Sequence, residues 1–402
     1  MTLSTRATTV IALGTSQTLA WASSYYLPAI LAAPMARDLG LSVPTVFAAF
    51  SVALLVAAFS GPSAGRAIDR WGGRPVLMAT NLVFAVGLVG LGLAQGTLGL
   101  FAAWVVLGVG LGAGLYEAAF AALVRLYGQG SRNAITGITL FAGFASTVGW
   151  PLSTLLEAHL GWRGTCFVWA GLHLVVGLPL NGSLPRATMA EPLALRTGLS
   201  PHPGAPPDRT ARRAGWILAL VFAAVWFVST AMAAHLPRLL QLGGSSLAAA
   251  VAVGALVGPA QVAGRLLEFG FLRRLHPLLS ARLAALMHPI GAGLLMALGA
   301  PAAAAAFAVL HGAGNGILTI AKGTLPLVLF GTAGYGERQG LLMVPARLAQ
   351  ALAPWIFGIC LDHWGSRALW LSMALSLAAF MGLMLLPRPV PSKSIPERSA
   401  RA

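Results

Sequence analysis

The chain alternates between long apolar runs and short polar turns along almost its whole length. Apolar runs of about 18 residues or more are long enough to cross the hydrocarbon core of a membrane as helices. The pattern predicts twelve such spans, at 9–31, 44–65, 75–95, 98–124, 134–157, 164–183, 214–236, 246–270, 279–299, 302–325, 340–361 and 367–387. The predicted fold class is therefore an all-α membrane protein.

One long segment breaks this alternation. Residues 184–213 are rich in proline and arginine, which is typical of a polar linker rather than of a span. We therefore predict a six-helix bundle over 1–183, a cytoplasmic linker over 184–213 and a second six-helix bundle over 214–387. Residues 388–402 form a short basic tail.

Short motifs recur about half a chain apart and indicate an internal duplication. Gly65-Arg66-Ala67-Ile68-Asp69 is echoed by Gly264-Arg265-Leu266-Leu267-Glu268, 199 residues later. The stretches 112–114 and 159–163 have counterparts at 312–314 and 363–367. Two related apolar halves are typical of secondary transporters that bind their solute between the halves.

Composition excludes a soluble protein. Hydrophobic residues make up 57% of the chain and charged residues 9%, and the mean hydropathy is +0.80, whereas soluble domains carry roughly 25% charged residues. The first apolar run is too long for a cleaved signal peptide and fits the first span. Cys166 and Cys360 lack the spacing of a metal or redox site, so we interpret them as packing residues.

The net charge of +16 is explained by its placement. If both termini are cytoplasmic, 22 of the 26 Lys and Arg residues fall on the cytoplasmic side of the predicted spans. This asymmetry follows the positive-inside rule and predicts an inner-membrane protein with both termini inside. The charge therefore needs no nucleic-acid partner, and the basic face can contact anionic lipid.

The turn between spans 2 and 3 carries a distinctive motif, Gly65-Arg66-Ala67-Ile68-Asp69-Arg70-Trp71-Gly72-Gly73-Arg74. With the two-fold repeat and the basic linker, it resembles the major facilitator superfamily, and the resemblance covers essentially the whole chain. That resemblance implies a monomer of twelve helices. Gly143, Gly149 and Pro151 in span 5 resemble a motif of the family's antiporters, with altered spacing.

The resemblance also implies a cytoplasmic gate at this turn. Its predicted members are Gly65, Arg66, Asp69, Arg70, Gly73 and Arg74, with Arg265 and Glu268 as counterparts in the repeat. The family's second basic residue after the final Arg is Pro75 here, which departs from the pattern. The alternative is that these charges only end helices and set topology.

Polar side chains inside spans are costly in hydrocarbon and usually face a cavity. By resemblance, spans 1, 4, 7 and 10 contribute most to a central cavity between the halves. The candidate solute-binding residues are Gln17, Trp21, Tyr25, Tyr116, Trp226, Gln261, His311, Asn315 and Arg347. Gln17, Trp21 and Tyr25 are spaced by four and share one helix face, which is either a binding wall or packing.

Glu117 is the one carboxylate that the pattern places well inside a span. A carboxyl group in such a site can load and release a proton, so we predict that Glu117 is the proton carrier. The alternative is a structural ion pair with Arg125 or with a neighbouring helix. His311 is a second titratable candidate, or a hydrogen-bonded packing residue.

Arg347 and Lys322 lie in spans whose other residues offer few acids. We expect this surplus of positive charge to favour an anionic solute. The alternative is that both side chains extend to the membrane surface.

These features predict a secondary transporter working by alternating access, driven by protons or by exchange. The leading solute class is a small organic or inorganic anion or a weak acid. Amphipathic drugs and an arsenite-like neutral oxyacid are the alternatives within transport, and a non-transporting membrane sensor is the alternative outside it. The chain carries no phosphate-binding Gly-Lys-Ser/Thr motif and no catalytic set, so we expect no enzyme activity, no cofactor and no metal.

Overall fold

The computed structural model describes residues 3–186, 209–299 and 303–386, and in this part of the chain it consists of helices joined by short turns, without a strand. The tail and most of the predicted linker lie outside the described residues. The first half contains α1 (Leu3–Ser23), α2 (Pro28–Leu39), α3 (Val43–Trp71), α4 (Gly73–Gly92), α5 (Thr97–Gly114), α6 (Tyr116–Tyr127), α7 (Arg132–Gly143), α8 (Ala145–Leu172) and α9 (Leu178–Gly182).

The second half contains α10 (Arg209–Leu242), α11 (Leu247–Ala255), α12 (Val257–Gly270), α13 (Pro277–Leu298), α14 (Ala304–Phe330), α15 (Tyr335–Trp364) and α16 (Leu369–Leu385). Short 3₁₀ turns cover Gly128–Ser131, Leu272–Arg274 and Gly365–Ala368, and a π-helical turn at His173–Gly177 joins α8 to α9.

Eight helical stretches within the described residues are long and apolar enough to cross a membrane. Two of them, Thr97–Gly182 and Tyr335–Leu385, run for 86 and 51 residues. A helix rises about 1.5 Å per residue and a membrane core is about 30 Å thick, so each of these two crosses more than once. The protein is multi-pass, and the count of twelve spans stays a prediction.

Several spans that hydropathy predicts as single helices are broken. The first span divides between Ser23 and Pro28, and the fourth divides at Leu115, which is extended (φ −86°, ψ −162°). The fifth divides at Phe144 and the eighth at Leu256. Most residues around these breaks are apolar, small or aromatic, so the hydropathy pattern does not reveal the breaks, although Glu117 lies two residues after the one at Leu115.

The buried apolar side chains form three clusters. One lies almost wholly within residues 12–184, with Leu327 and Tyr335 added from the second half. The other two lie within 214–386. Each half of the chain therefore builds apolar packing of its own, and the contacts between halves involve a limited set of helices.

The halves meet chiefly where α3 and α6 pack on α15, and where α7 packs on α12 and α14. Glycines allow the closest approach: a Cβ added to Gly65 would lie 2.0 Å from the Gly336 carbonyl oxygen, and one added to Gly340 would lie 2.6 Å from Pro62 Cα. The helix pair α3–α15 thus touches backbone to backbone, which side chains larger than hydrogen would prevent.

Candidate functional site

A buried ion cluster joins the two halves at the centre of the molecule. Glu117 Oε1 accepts from the Lys322 ammonium at 2.8 Å, and Glu117 Oε2 accepts from Nη2 of Arg347 at 3.0 Å. The side chains of Glu117, Lys322 and Arg347 are 9%, 1% and 5% exposed. One carboxylate therefore faces two cations, and these three residues, called the central ion cluster below, carry a net charge of +1.

The break at Leu115 places Glu117 in this cluster. It makes Glu117 the second residue of α6, where the helix dipole favours a negative charge. The carbonyl of Gly114, the last residue of α5, accepts a hydrogen bond from Nε2 of Gln17 at 2.7 Å. This hydrogen bond stabilises the break between α5 and α6, and it gives the buried side-chain amide of Gln17 a partner.

Aromatic rings surround the cluster. The Lys322 ammonium lies 4.5 Å from the ring centroid of Trp226 and 5.3 Å from that of Tyr116, so both rings stabilise its charge. Tyr116 packs against Trp21, with ring centroids 4.9 Å apart, and Trp21 packs against Tyr25 at 5.1 Å. The predicted aromatic face of the first span therefore forms one wall of the site.

A polar relay extends from Arg347 to the same wall. Nη1 of Arg347 donates to Oε1 of Gln350 at 3.1 Å, and Nε2 of Gln350 lies 3.5 Å from the hydroxyl of Tyr25. A small cavity beside Glu117 and Arg347 is lined by Gly61, Gly112, Gly340 and Met343. Seven predicted residues thus come together here: Gln17, Trp21, Tyr25, Tyr116, Glu117, Trp226 and Arg347.

The structure shows how these buried charges pair. Lys322 and Arg347 do not lack an acid, because Glu117 from the other half pairs with both, and both cationic side chains are buried rather than extended to the protein surface. The ion pair of Glu117 is therefore with neighbouring helices, one of the alternatives that the sequence left open, and not with Arg125. The sequence pattern missed the pairing because the residues are 205 and 230 positions apart.

Arg265 is a further buried cation in this region. Its side chain on α12 is nearly buried, and its Nε and Nη1 atoms have no hydrogen-bond partner within the described residues. The guanidinium contacts Gly143, where an added Cβ would lie 2.2 Å from Nη1, and it is within electrostatic reach of Tyr26, Tyr116 and Lys322. Arg265 thus neighbours the central aromatic residues, although its motif predicted a gate.

Three predicted cavity residues lie apart from the central ion cluster. Gln261 precedes Arg265 by one turn of α12, on the same face. His311 and Asn315 instead line a small cavity inside the second half, between α10, α13, α14 and α16. His311 is hydrogen-bonded to His288, which the sequence analysis did not single out.

The motif after α3 forms a contact between the halves. The two carboxylate oxygens of Asp69 accept from the backbone N–H groups of Gly336 and Glu337, each at 2.9 Å, at the N-terminus of α15. A carboxylate at this position is stabilised by the unpaired N–H groups and by the helix dipole. Arg66 adds an exposed ion pair to Glu337 at 3.2 Å.

A second contact lies at the same end of the molecule. Arg132 at the start of α7 pairs with Glu268 of α12 at 2.8 Å and donates to the carbonyl of Leu275 at 3.0 Å. We call this end, defined by Asp69, Arg66, Arg132, Glu268 and Glu337, the motif end. Arg132 and Glu337 were not predicted as gate residues, since one charge among many at a predicted turn carries no distinguishing signal.

The remaining motif residues behave differently. Gly73 permits α4 to approach α6, because a Cβ added there would lie 2.1 Å from the Cβ of Ala122. Arg70 stacks on the exposed ring of Trp71 at 5.7 Å. Neither Arg70 nor Arg74 forms an ion pair with the described residues.

Ion pairs at the opposite end stay within one half. Asp38 pairs with Arg163 at 2.9 Å in the first half, and Arg238 pairs with Asp362 at 2.5 Å in the second half. We call this end the far end. In the described residues, the ion pairs that cross between halves lie at the centre and at the motif end.

Comparison with known proteins agrees with this arrangement. The chain matches the sequence model of the Major Facilitator Superfamily over residues 13–321. The chain belongs to this superfamily. Its members are transporters rather than enzymes, which agrees with the membrane-spanning fold and with a polar cluster between two halves.

Individual members of the superfamily align over most of the chain. Monocarboxylate transporter 11 of Homo sapiens is 30% identical over 394 residues, covering 89% of this chain and 80% of the human protein. The crystal structure of the human organic anion transporter MFSD10 superposes with a TM-score of 0.66 at 17% identity, over 95% of this chain and all of that one. The transporter FucP in its outward conformation superposes with a TM-score of 0.71 at 14% identity, over 94% and 98% of the two chains.

Proposed function

We propose that this superfamily member carries small organic anions, with monocarboxylates as the leading class, and that it couples their movement to protons by alternating access. The observation that carries the proposal is the surplus of buried positive charge between the halves. Lys322 and Arg347 share a single carboxylate, Glu117, and Nε and Nη1 of the nearby Arg265 have no hydrogen-bond partner within the described residues.

A carboxylate solute fits this surplus. Charge-assisted hydrogen bonds from Arg to a carboxylate are strong and directional, and a buried cation with unsatisfied donors favours an anionic partner. The human relative is named a monocarboxylate transporter and the human protein of similar structure an organic anion transporter, and both names describe organic anions. Gln261, one turn from Arg265, offers a further hydrogen bond to such a solute.

Glu117 supplies the proton step in this proposal. While Glu117 is ionised, its carboxylate neutralises one positive charge of the central ion cluster. It then occupies the cations that a solute carboxylate would otherwise bind. When Glu117 takes up a proton it becomes a neutral carboxylic acid, and Lys322 and Arg347 are released to bind the solute anion. One proton and one carboxylate then move together, because each makes the other's binding favourable.

The gate and the topology complete the proposal. We place the motif end and both termini in the cytoplasm, because the arginines of the predicted cytoplasmic turns follow the positive-inside rule. The bundles over 1–183 and 214–387 rock about the central ion cluster, with Asp69 and Arg132 holding the cytoplasmic side closed. The contacts of the motif end support a state whose halves separate at the far end.

The test uses the full chain in proteoliposomes that contain a pH-sensitive dye. Monocarboxylates, arsenite and lipophilic cations are added to the wild type, Glu117→Gln, Arg265→Gln and the exposed control Arg367→Gln. We expect proton movement with monocarboxylates alone in the wild type and in the control. Arg265→Gln should lose it by at least about tenfold, whereas Glu117→Gln should lose proton movement and keep exchange of labelled for unlabelled solute.

Other results would replace the proposal. Proton movement with lipophilic cations would indicate drug efflux, and movement with arsenite would indicate an oxyacid carrier. Equal proton signals from the wild type and Glu117→Gln would remove Glu117 from the coupling step. If none of the tested solutes gives proton movement or exchange, the result would favour a non-transporting membrane sensor.

A further inference from the structure

The second half contains a buried histidine pair that the proposed function does not use. Nδ1 of His288 on α13 lies 2.9 Å from Nδ1 of His311 on α14. Nε2 of His288 lies 3.1 Å from the hydroxyl oxygen of Ser372 on α16. The imidazoles are 6% and 5% exposed, and the ring of His311 is stacked on that of Phe307.

The hydrogen-bond network determines where the protons of the neutral pair lie. The hydroxyl of Ser372 donates to the carbonyl of Leu369 at 2.9 Å, so its oxygen accepts from Nε2–H of His288. A neutral imidazole has one N–H, so Nδ1 of His288 is an acceptor and Nδ1–H of His311 is the donor to it. Nε2 of His311 is then an unprotonated acceptor, with no hydrogen-bond partner among the described residues.

That free acceptor belongs to a residue that lines a cavity with other polar groups. The cavity between α10, α13, α14 and α16 also exposes Asn315 and Ser376, whose side chains have no hydrogen-bond partner in the described part of the chain. It has room for roughly one water molecule. The rest of its wall is apolar or glycine, including Val225, Ala284 and Leu318, and no carboxylate or cation of the described residues lines it.

We propose that His288 and His311 form a second proton-binding site, in which one added proton binds at Nε2 of His311 and is hydrogen-bonded through a water to Asn315 and Ser376. Movement of the proton between the two Nδ1 atoms shares the positive charge over both rings. A buried charge is costly unless it is hydrogen-bonded and spread, and this network supplies both conditions. The proton enters and leaves as H⁺, and no other bond changes.

His311 of the histidine pair lies on the same helix as Lys322 of the central ion cluster. His311, Asn315, Leu318 and Lys322 are spaced by four, three and four residues, so they follow one face of α14. Val225 of the cavity wall is adjacent to Trp226, which lies over the Lys322 ammonium. A proton on the pair therefore adds a second positive charge about 16 Å along α14 from Lys322.

The test is nitrogen NMR of the full chain in nanodiscs, with ¹⁵N-labelled histidine and with signals assigned by His288→Asn and His311→Asn. We expect a coupling across the Nδ1–Nδ1 hydrogen bond in the neutral form. On acidification, the signals of His288 and His311 should shift together as one protonation event. Asn315→Leu, which removes a polar wall of the cavity, should lower the proton affinity about tenfold.

The matched control is Leu318→Met, which changes the same wall without removing a polar group and should leave the proton affinity within about twofold. Glu117→Gln should leave the coupled titration intact, so the result is independent of the proposed carboxylate transport. The proposal is wrong if the two rings titrate separately or if neither binds a proton before the protein unfolds. An unaffected affinity in folded Asn315→Leu would also overturn it.

Discussion

At the residue scale, the central ion cluster explains why a carboxylate and two cations occupy the interior of a membrane protein. Ionisable groups are costly there unless they are paired. Glu117 satisfies Lys322 and Arg347 at once, and Tyr116 and Trp226 add their ring faces to the Lys322 ammonium. The three residues thus hold the halves together while keeping one positive charge uncompensated.

The net charge of the cluster predicts an asymmetry between two substitutions. Lys322→Met leaves Glu117 and Arg347 as a neutral pair, whereas Glu117→Gln leaves two buried cations without a counter-ion. Removing one partner of a buried pair costs on the order of 3–5 kcal/mol, and we expect Glu117→Gln to approach that range and Lys322→Met to cost clearly less. The measurement is the melting temperature of each purified variant in detergent. A larger loss for Lys322→Met would contradict the pairing.

Residue identity in the site was predictable in part. The sequence pointed to Glu117 because a carboxylate in the middle of an apolar run is rare, and to the aromatic face of the first span because its spacing is helical. It could not pair Glu117 with Lys322 and Arg347, since nothing in the local pattern records a contact between residues 200 positions or more apart. The lack of a hydrogen-bond partner for Nε and Nη1 of Arg265 within the described residues likewise depends on tertiary packing, which the local pattern does not record.

At the element scale, the close approach of α3 and α15 depends on glycine. The backbones of Gly65 and Gly336 touch, and Asp69 lies one turn further along α3, where its carboxylate accepts the first N–H groups of α15. The contact is therefore both steric and electrostatic. It can form only when the two helices come together at the motif end.

Gly65→Ala should separate these helices. The added Cβ would lie 2.0 Å from the Gly336 oxygen, so the backbones must move apart and the bonds from Gly336 and Glu337 to Asp69 must lengthen. Gly61→Ala on the same helix is the control, because its Cβ would meet nothing closer than 3.9 Å. Distances between spin labels on α3 and α15 at the motif end should lengthen in Gly65→Ala alone. Unchanged distances would mean that the helices do not need this contact.

The helices themselves were predictable and their interruptions were not. Hydropathy locates apolar runs because a membrane core demands them, and the described helices follow these runs. The break at Leu115 lies in a run that is compatible with a continuous helix, and tertiary contacts sustain it, including the hydrogen bond from Gln17 to Gly114. The helix that begins at this break carries Glu117. The position of Glu117 therefore depends on a break that the hydropathy pattern does not reveal.

At the scale of the whole molecule, ion pairs distinguish the two ends. Arg66–Glu337 and Arg132–Glu268 cross between the halves at the motif end, whereas Asp38–Arg163 and Arg238–Asp362 stay within a half at the far end. The exposed Arg66–Glu337 pair contributes only about 0–1 kcal/mol, so it can form and break readily. Arg132–Glu268 is largely buried, with the Glu268 side chain 3% exposed, so separating the halves at the motif end would bring its charges into water.

A covalent link at each end tests this division. Cysteines at Arg66 and Glu337, joined by a short thiol cross-linker, should hold the halves together and lower transport at least about tenfold. Cysteines at Arg238 and Asp362, treated in the same way, link residues of one half and should leave transport nearly unchanged. The native Cys166 and Cys360 are buried, which keeps the background low. Normal transport with the first pair linked would show that the motif end need not open.

The uncompensated positive charge of the central ion cluster has an electrical consequence. A membrane potential acts on a moving charge by roughly 2.3 kcal/mol per elementary charge for every 100 mV. In the proposed cycle the empty carrier, with Glu117 ionised, and the loaded carrier, with Glu117 protonated and one anion bound, bear the same single positive charge. A membrane potential should therefore act on both reorientations alike: it sets the side on which the carrier spends more time, but it does not drive net accumulation of the solute, because one proton and one anion cross together without net charge.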